Sequence, residues 1–159
     1  MESILNKNIL IVDDDERMLR ALTKVLTNEG AVITGACWAA EAMDQLADPQ
    51  KRFDLVITDL QMPFVRGSTI LRMIARSLQP GANQPVSNVE GEVSQGVFPR
   101  VPIIVLTAFG SPEVKTECLL FGAAAFLEKP LNITQLLAAI EDAFAQQKNG
   151  RENHKAEFK

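Results

Sequence analysis

The chain has few cysteines, no long apolar run and no excess of basic residues, and each shortage excludes a class of protein. Its two cysteines, Cys37 and Cys118, lack metal-ligand spacing and cannot form a disulfide framework. Apolar runs reach only about five residues, far short of a membrane span, and the N-terminus lacks the build of a signal peptide. A net charge of −4 excludes a general nucleic-acid footprint. We expect a cytoplasmic protein with reduced thiols.

What the chain does contain is an alternation of short β-rich runs and amphipathic segments. Its 159 residues favour a single domain of ordinary size. Five such βα units imply an α/β fold, a doubly wound parallel sheet with right-handed crossovers and helices on both faces. The predicted strands are 8–12, 31–36, 53–58, 103–107 and 123–127, and the predicted helices are 17–28, 39–47 and three that begin after Ser68, Ser111 and Asn132.

Two stretches do not fit this alternation. Residues 79–100 are rich in Pro, Gly, Asn, Gln and Ser, and a mobile loop is preferred to a small hairpin there. Residues 148–159 are polar and mildly basic, and we expect them to form a disordered tail. The predicted domain therefore covers residues 6–147, with a long loop insertion at 79–100.

Polar residues stand where four of the predicted strands end. Asp13 and Asp14 follow the first strand, Asp59 the third, Thr107 ends the fourth and Lys129 follows the fifth. The carboxyl ends of parallel strands meet at one edge of a sheet, which is where ligands bind in such folds. Grouped carboxylates repel one another unless a cation joins them, and Mg²⁺ suits such a group because it leaves sites for phosphate oxygens. This grouping suits phosphoryl transfer onto a carboxylate.

Each of these residues also has a simpler interpretation. Asp13, Asp14 and Asp15 can form a cluster at a helix start that satisfies free N–H groups. For Asp15, and for Glu16 after it, this is the preferred role. Asp59 can be a turn residue, Thr107 a strand former and Lys129 a solvated surface charge. These interpretations weaken together, since they would have to coincide at four strand ends of one fold.

Several motifs together resemble the receiver domain of two-component response regulators, over about residues 6–147. The matching pieces are Val12-Asp13-Asp14-Asp15, Thr58-Asp59-Leu60-Gln61-Met62-Pro63 with Gly67, Val105-Leu106-Thr107-Ala108, Gly122-Ala123 and Leu127-Glu128-Lys129-Pro130. The resemblance implies a flavodoxin-like sheet with the strand order 2-1-3-4-5.

The resemblance also implies a role for each residue at the strand ends. Asp59 would accept the phosphoryl group and bind Mg²⁺ together with Asp14 and the backbone carbonyl of Gln61, while Asp13 would act mainly through water. Thr107 looks like the switch hydroxyl that moves toward the phosphate, and Lys129 like the lysine that pairs with it. Pro130 stands at a family position where the peptide bond before proline is often cis.

Three features depart from the family pattern. Phe126 occupies the position of the aromatic switch residue, often Tyr, so its ring carries no hydroxyl. Phe109, two residues after Thr107, and Gln61, two residues after Asp59, flank the expected path of the attacking water. We expect the large apolar side chain of Phe109 to slow hydrolysis of the acyl phosphate. The insertion 79–100 is longer than usual and should emerge opposite the phosphorylation site, where it is either a partner-docking element or a tolerated surface loop.

The implied function is that of a signalling switch, not of an enzyme that turns over a substrate. The only histidine, His154, lies in the polar tail, so we expect a histidine kinase or phosphotransfer protein to donate the phosphoryl group. Phosphorylation would change the face made by the fourth helix, fifth strand and fifth helix, and with it the affinity for a downstream protein. A homodimer through that face is possible, whereas direct contact with nucleic acid or membrane is not expected.

Two alternatives remain open at this point. A small phosphohydrolase of the haloacid-dehalogenase type would use Asp13 as its nucleophile, because Asp13-Asp14-Asp15 satisfies the Asp-x-Asp pattern of those enzymes. That alternative leaves the Asp59 motif unexplained. A receiver that takes no phosphate and serves only as a binding module is the other, against which the complete set of acids, Thr107 and Lys129 argues.

Overall fold

Strands and helices alternate strictly in the described part of the chain, as the sequence predicts. The computed structural model describes residues 4–63, 68–77, 101–108 and 110–156. The strands are β1 (Asn8–Val12), β2 (Val32–Ala36), β3 (Leu55–Asp59), β4 (Ile103–Thr107) and β5 (Ala125–Glu128). The helices are α1 (Glu16–Asn28), α2 (Ala39–Ala47), α3 (Ser68–Ser77), α4 (Pro112–Leu120) and α5 (Ile133–Ala156).

The strands form a parallel five-stranded sheet in the order β2-β1-β3-β4-β5. This order confirms the predicted doubly wound, flavodoxin-like arrangement. β2 and β5 are the edge strands, and β1, β3 and β4 are paired on both sides. The chain reverses its direction of winding at β1, so β1 and β3 are the neighbours between which a ligand site is expected in such a sheet.

Each face of the sheet carries its own hydrophobic core, because successive strand residues point to opposite faces. Leu10, Val56 and Val105 belong to a core with side chains of α2, α3 and α4. Ile11, Ile57 and Leu106 belong to a second core with side chains of α1 and α5. The inner strands β1, β3 and β4 are therefore apolar on both faces, as the continuous apolar runs in the sequence predict.

Helix ends follow the local chemistry of the sequence. The Asp15 carboxylate accepts hydrogen bonds from the backbone N–H groups of Arg17 and Met18 at the start of α1. The Ser111 hydroxyl does the same for Val114, and Pro112 begins α4. The Asn132 side chain accepts from the N–H groups of Thr134 and Gln135, so it caps α5 as predicted. Ser68, predicted as a cap, is already the first residue of α3.

The prediction of a disordered tail from residue 148 is wrong for most of that segment, because α5 continues to Ala156. The residues concerned include Gln147, Lys148, Arg151 and Glu152, all good helix formers. Gly150 alone costs only about 1 kcal/mol in a helix interior, so no strong stop signal lies before residue 156. Among the described residues no helix has the length and apolarity needed to cross a membrane.

Two predicted features lie outside the described residues. The insertion 79–100 is one of them, and Phe109 is the other. The division into a domain at 6–147 with that insertion stays a prediction.

Candidate functional site

The carboxyl edge of the sheet brings the predicted polar residues together. Asp59 is the last residue of β3 and Thr107 the last of β4. Asp13 follows β1, and its backbone N–H donates to the Ala36 carbonyl at 3.1 Å, one step beyond the β1–β2 ladder. The Lys129 N–H donates to the Thr107 carbonyl at 2.7 Å, which extends the β4–β5 pairing in the same way. The backbone ladder itself therefore sets the spacing of these residues.

Lys129 bridges two of the acids with a single ammonium group. Its Nζ lies 2.6 Å from Oδ2 of Asp59 and 2.9 Å from Oδ2 of Asp13. Both carboxylates are almost withdrawn from solvent, with Asp13 0% and Asp59 5% exposed. Short contacts between a buried ammonium and carboxylates are charge-assisted hydrogen bonds, which are stronger than bonds between neutral groups.

A third acid completes the group. Asp13, Asp14 and Asp59 each place a carboxylate oxygen within 4.8 Å of the others. Asp14 is half-buried, whereas the other two are buried. The side chain of Asp14 is consequently the one that solvent reaches, and it borders the buried pair on the outside.

Burial and the contacts between the groups act in opposite directions on the pKa values of Asp13 and of Lys129. Burial raises the pKa of Asp13, and it outweighs the hydrogen bond from Lys129, which acts in the opposite direction. Burial also acts to lower the pKa of Lys129, but its bonds to Asp59 and Asp13 together outweigh that effect and raise it. Lys129 is thus held in its charged form by its two partners.

Backbone donors orient the carboxylates from the other side. The Gln61 N–H donates to Oδ1 of Asp59 at 2.9 Å, so that Oδ1 and Oδ2 of Asp59 have different partners. The Asp15 N–H donates to Oδ1 of Asp13 at 2.9 Å. The Thr58 hydroxyl donates to the Asp59 carbonyl at 3.0 Å. These bonds hold both carboxylates in one orientation, which a site for chemistry requires.

The predicted switch residues flank the acids on the β4–β5 side. Thr107 is 1% exposed and lies beside Glu128 in the β4–β5 register. Phe126 is partly buried and packs against the core shared with α2, α3 and α4. The Lys129–Pro130 peptide bond is cis, the geometry predicted for it. Gln61 is exposed at the rim of the site, while Phe109 lies outside the described residues.

One residue near the site has no signal in the sequence. Gly110 lies so close to Phe126 that a β-carbon placed on it would stand 2.9 Å from Cε1 of that ring. Gly110 and Phe126 belong to different elements, and only the pairing of β4 with β5 makes them neighbours. No local pattern in the sequence indicates this contact.

The residues present fit a divalent cation. If all groups are ionised, the three carboxylates exceed the single ammonium of Lys129 by two negative charges. Carboxylate oxygens at a partly solvated edge are ligands that Mg²⁺ takes, together with water. Asp13, Asp14, Asp59 and the Gln61 carbonyl are the groups that could hold it. The arrangement can therefore bind a dication at the carboxyl edge of the sheet.

Comparisons with known proteins identify the family to which the chain belongs. A family model described as the response regulator receiver domain matches residues 9–89. "Probable histidine kinase 4" of Oryza sativa subsp. japonica is 31% identical over 141 residues, which are 87% of this chain and 14% of that protein. "Transcriptional regulatory protein GlrR" of Escherichia coli K12 is 32% identical over 139 residues, 87% of this chain and 26% of that protein. The chain thus spans about a quarter or less of these relatives.

Solved structures show the same fold. A CheY-like response regulator receiver domain protein from Methanospirillum hungatei JF-1 superposes with a TM-score of 0.72 at 27% identity, over 91% of this chain and 98% of that one. A response regulator receiver domain protein from Clostridium thermocellum gives a TM-score of 0.70 at 25% identity, over 89% and 97%. Both likenesses extend over nearly the whole sheet and its helices.

Proposed function

The chain belongs to the response regulator receiver domain family, and we propose that it is a phosphorylation-activated switch whose phosphoryl acceptor is Asp59. One observation carries the proposal. The Asp59 carboxylate is buried at the sheet edge, bonded to the Lys129 ammonium at 2.6 Å, and shares its surroundings with Asp13 and Asp14. This group of residues combines a carboxylate held in one orientation, an ammonium group and two further acids.

The transfer itself needs little chemistry from the protein beyond positioning and charge. An oxygen of Asp59 forms a bond to phosphorus while the bond between phosphorus and the donor's imidazole nitrogen breaks, and the imidazole leaves. The Lys129 ammonium balances negative charge on the transferring group, and the Gln61 N–H holds Asp59 in line. The Thr107 hydroxyl is the group proposed to move toward the phosphorylated Asp59. Catalysis of this kind is mainly positioning and charge neutralisation.

Magnesium is the cofactor that the acids suit. Asp14, Asp59 and the Gln61 carbonyl would hold the ion directly, with Asp13 acting mainly through water. A bound Mg²⁺ supplies neutralisation of the charge on the phosphoryl oxygens. Lys129 and the ion would then together neutralise the negative charge of the three carboxylates, which one ammonium group cannot neutralise alone.

The lifetime of the phosphorylated state depends on the residues next to the water path. Gln61 and Phe109 are proposed to set it, and the apolar Phe109 side chain is proposed to slow hydrolysis by shielding the acyl phosphate. The measurement is the rate of phosphate loss in Mg²⁺ buffer for the wild type and Phe109→Glu. Rapid loss from the wild type together with little change in the variant contradicts this part of the proposal.

The output is proposed to be a change of partner affinity at the face of α4, β5 and α5. Phe126 and Thr107 connect this face to Asp59. The relatives are named as a probable histidine kinase and as a transcriptional regulatory protein, which supports a histidine kinase or phosphotransfer protein as donor. A homodimer through the same face is a further proposal, and its test is the oligomeric state with and without beryllofluoride.

Mapping the phosphorylated residue tests the central proposal. The protein is treated with a small phosphodonor such as acetyl phosphate in Mg²⁺ buffer, and peptide mass spectrometry locates the added phosphoryl group. We expect it on Asp59, with loss of labelling in Asp59→Asn. Asp54→Asn is the matched control, because Asp54 stands just before β3 and far from the site, where it pairs with Lys7.

Each contrary result points to a different function. A phosphoryl group on Asp13 with continuous release of phosphate identifies a hydrolase of the haloacid-dehalogenase type. A third outcome is that neither acetyl phosphate nor a phosphorylated histidine kinase labels any residue, and that beryllofluoride leaves the NMR spectrum of the protein unchanged. The chain is then a binding module that takes no phosphate.

A further inference from the structure

Gly110 lies in the turn between β4 and α4, where its backbone conformation does not require glycine. Among the described residues the glycines with positive φ are Gly30 and Gly122. Gly110 is not one of them, so an alanine could adopt its backbone conformation without strain. What the position lacks is room for a side chain.

The room is taken by two side chains of β5. A β-carbon on Gly110 would lie 2.9 Å from Cε1 and 3.1 Å from Cζ of Phe126, and 2.9 Å from Oε1 of Glu128. Carbon atoms that do not share a bond stay about 3.5 Å apart or more at their best separation. The Glu128 carboxylate is exposed and can turn into solvent. The Phe126 ring is packed against the core, and it is the group that a methyl at position 110 would displace.

Gly110 also stands between two parts of the proposed switch. Thr107 precedes it by three residues at the end of β4, and Ser111, which caps α4, follows it directly. On the other side of the turn, Phe126 pairs with Val105 in the β4–β5 register. A displacement of the turn therefore changes the space beside the ring, and a displacement of the ring changes the space beside the turn.

We propose that Gly110 is a positioning residue, the seat on which the Phe126 ring rests in the unphosphorylated protein. Because Gly110 has no side chain, the ring occupies the space that a β-carbon there would need, and the positions of Gly110 and of the ring depend on each other. The inference rests on the proposed function in one respect, since the seat matters for signalling only if Thr107 moves the turn. Filling the seat with a methyl group then displaces the ring without any phosphate.

The first test observes the ring directly. The protein is labelled with fluorophenylalanine, and the Phe126 signal among the eight phenylalanines is assigned by its loss in Phe126→Leu. We expect Gly110→Ala to shift the Phe126 fluorine signal in the unphosphorylated protein, and the further shift on adding beryllofluoride to fall to about half or less. An unchanged Phe126 signal in Gly110→Ala overturns the proposal.

Gly35→Ala is the matched control. A β-carbon on Gly35 would also meet a side chain closely, Cδ2 of Leu19 at 3.2 Å, and its φ is likewise not positive. Gly35 lies on β2, the edge strand opposite β5. The Phe126 signal should stay in place in this variant. A shift of the Phe126 signal as large as that in Gly110→Ala would mean that a general loss of packing moves the ring. That result also contradicts the proposed role of Gly110.

A double-mutant cycle tests whether Gly110 acts through the ring. We expect Gly110→Ala to change the rate of Asp59 phosphorylation by acetyl phosphate at least about fivefold in the wild-type background, the lower end of usual couplings between sites. In Phe126→Leu the same substitution should change it less than about twofold, because the ring that the methyl displaces is gone. Equal changes in both backgrounds overturn the proposal. If Asp59 takes no phosphate in any variant, the proposed function fails. The Phe126 fluorine signal then tests by itself whether Gly110 positions the ring.

Discussion

The single ammonium group of Lys129 forms hydrogen bonds with two buried carboxylates. Removing that group should destabilise the fold, because two buried negative charges would lose their positively charged partner. The Lys129 side chain is 16% exposed, and the side chains of Asp13 and Asp59 alone are 0% and 7% exposed, so all three groups have lost most of their hydration. The chain has a second Lys–Asp pair, Lys7 with Asp54, whose charged atoms are 3.5 Å apart and whose side chains are 38% and 35% exposed. The two pairs have the same chemistry and differ in burial.

Removing each lysine should therefore have unequal effects on stability. Without Mg²⁺, Lys129→Met should lower the free energy of unfolding by about 2–4 kcal/mol, because it leaves two buried carboxylates without a positively charged partner. Lys7→Met should cost at most about 1 kcal/mol, the usual worth of an exposed pair. Urea unfolding of the two variants measures the difference. Equal losses would show that burial does not strengthen the Lys129 contacts.

The two thiols differ in reactivity for the same reason of burial. Cys118 is 0% exposed, and burial raises its pKa to about 11. Burial, followed by the negative charges of Glu41 and Glu16, also raises the pKa of Cys37, which is only partly buried. Because the thiolate is the reactive form, a disulfide reagent at pH 8 should label Cys37 slowly and Cys118 only after unfolding. Faster labelling of Cys37 with rising pH is expected, and rapid native labelling of Cys118 would contradict the burial.

At the scale of single elements, the ends of helices are where the sequence was most informative. Asp15, Ser111 and Asn132 each cap a helix with a side-chain oxygen, and each was recognisable from the residues around it. Strand limits were less predictable. β3 runs from Leu55 to Asp59, not from Phe53 to Thr58, because Asp59 pairs with Leu106 of β4 and the Asp54 side chain bonds to the N–H of Asn8. Neighbouring strands decide these limits.

Two glycines that follow helices have backbone conformations that side chains disfavour. Gly30 has φ 91° and Gly122 has φ 83°. A left-handed conformation costs an L-residue roughly 1–2 kcal/mol, so Gly122→Ala should lower the free energy of unfolding by about that amount. Gly30→Ala should lower it further, because its added β-carbon would also stand 2.6 Å from Cδ1 of Leu5. Gly35→Ala is the control for crowding without backbone strain, because its φ is not positive and its added β-carbon would stand 3.2 Å from Cδ2 of Leu19. Thermal unfolding measures all three, and a loss in Gly35→Ala as large as in Gly122→Ala would point to packing as the cause.

At the scale of the whole molecule, the acids that are buried among the described residues, Asp13 and Asp59, lie at the carboxyl edge of the sheet, and two hydrophobic cores make up the rest of the interior. The site carries Asp13, Asp14 and Asp59 against one ammonium. The folded protein should thus bind a dication that the unfolded chain binds poorly. Ligand binding of that kind stabilises the folded state.

Mg²⁺ should consequently raise the stability of the native protein. At ten times its dissociation constant the gain is about 1.4 kcal/mol, visible as a higher unfolding temperature. Asp14→Asn should lose this gain. Asp15→Asn should keep it, because Asp15 caps α1 and is not part of the acid group. Matched ionic strength excludes general screening, and an equal response in Asp14→Asn would argue against the ligand set.

The sequence by itself determined the order and type of the elements that the structure describes, and the polar residues at the ends of four strands. It could do so because hydrophobic periodicity and capping chemistry are local. The tertiary structure alone decided how these residues meet. Lys129 bonds to Asp13 across 116 positions of the chain and to Asp59 across 70, and Phe126 rests against Gly110. Such contacts depend on strand register and on the packing of distant side chains, and no local pattern encodes either one.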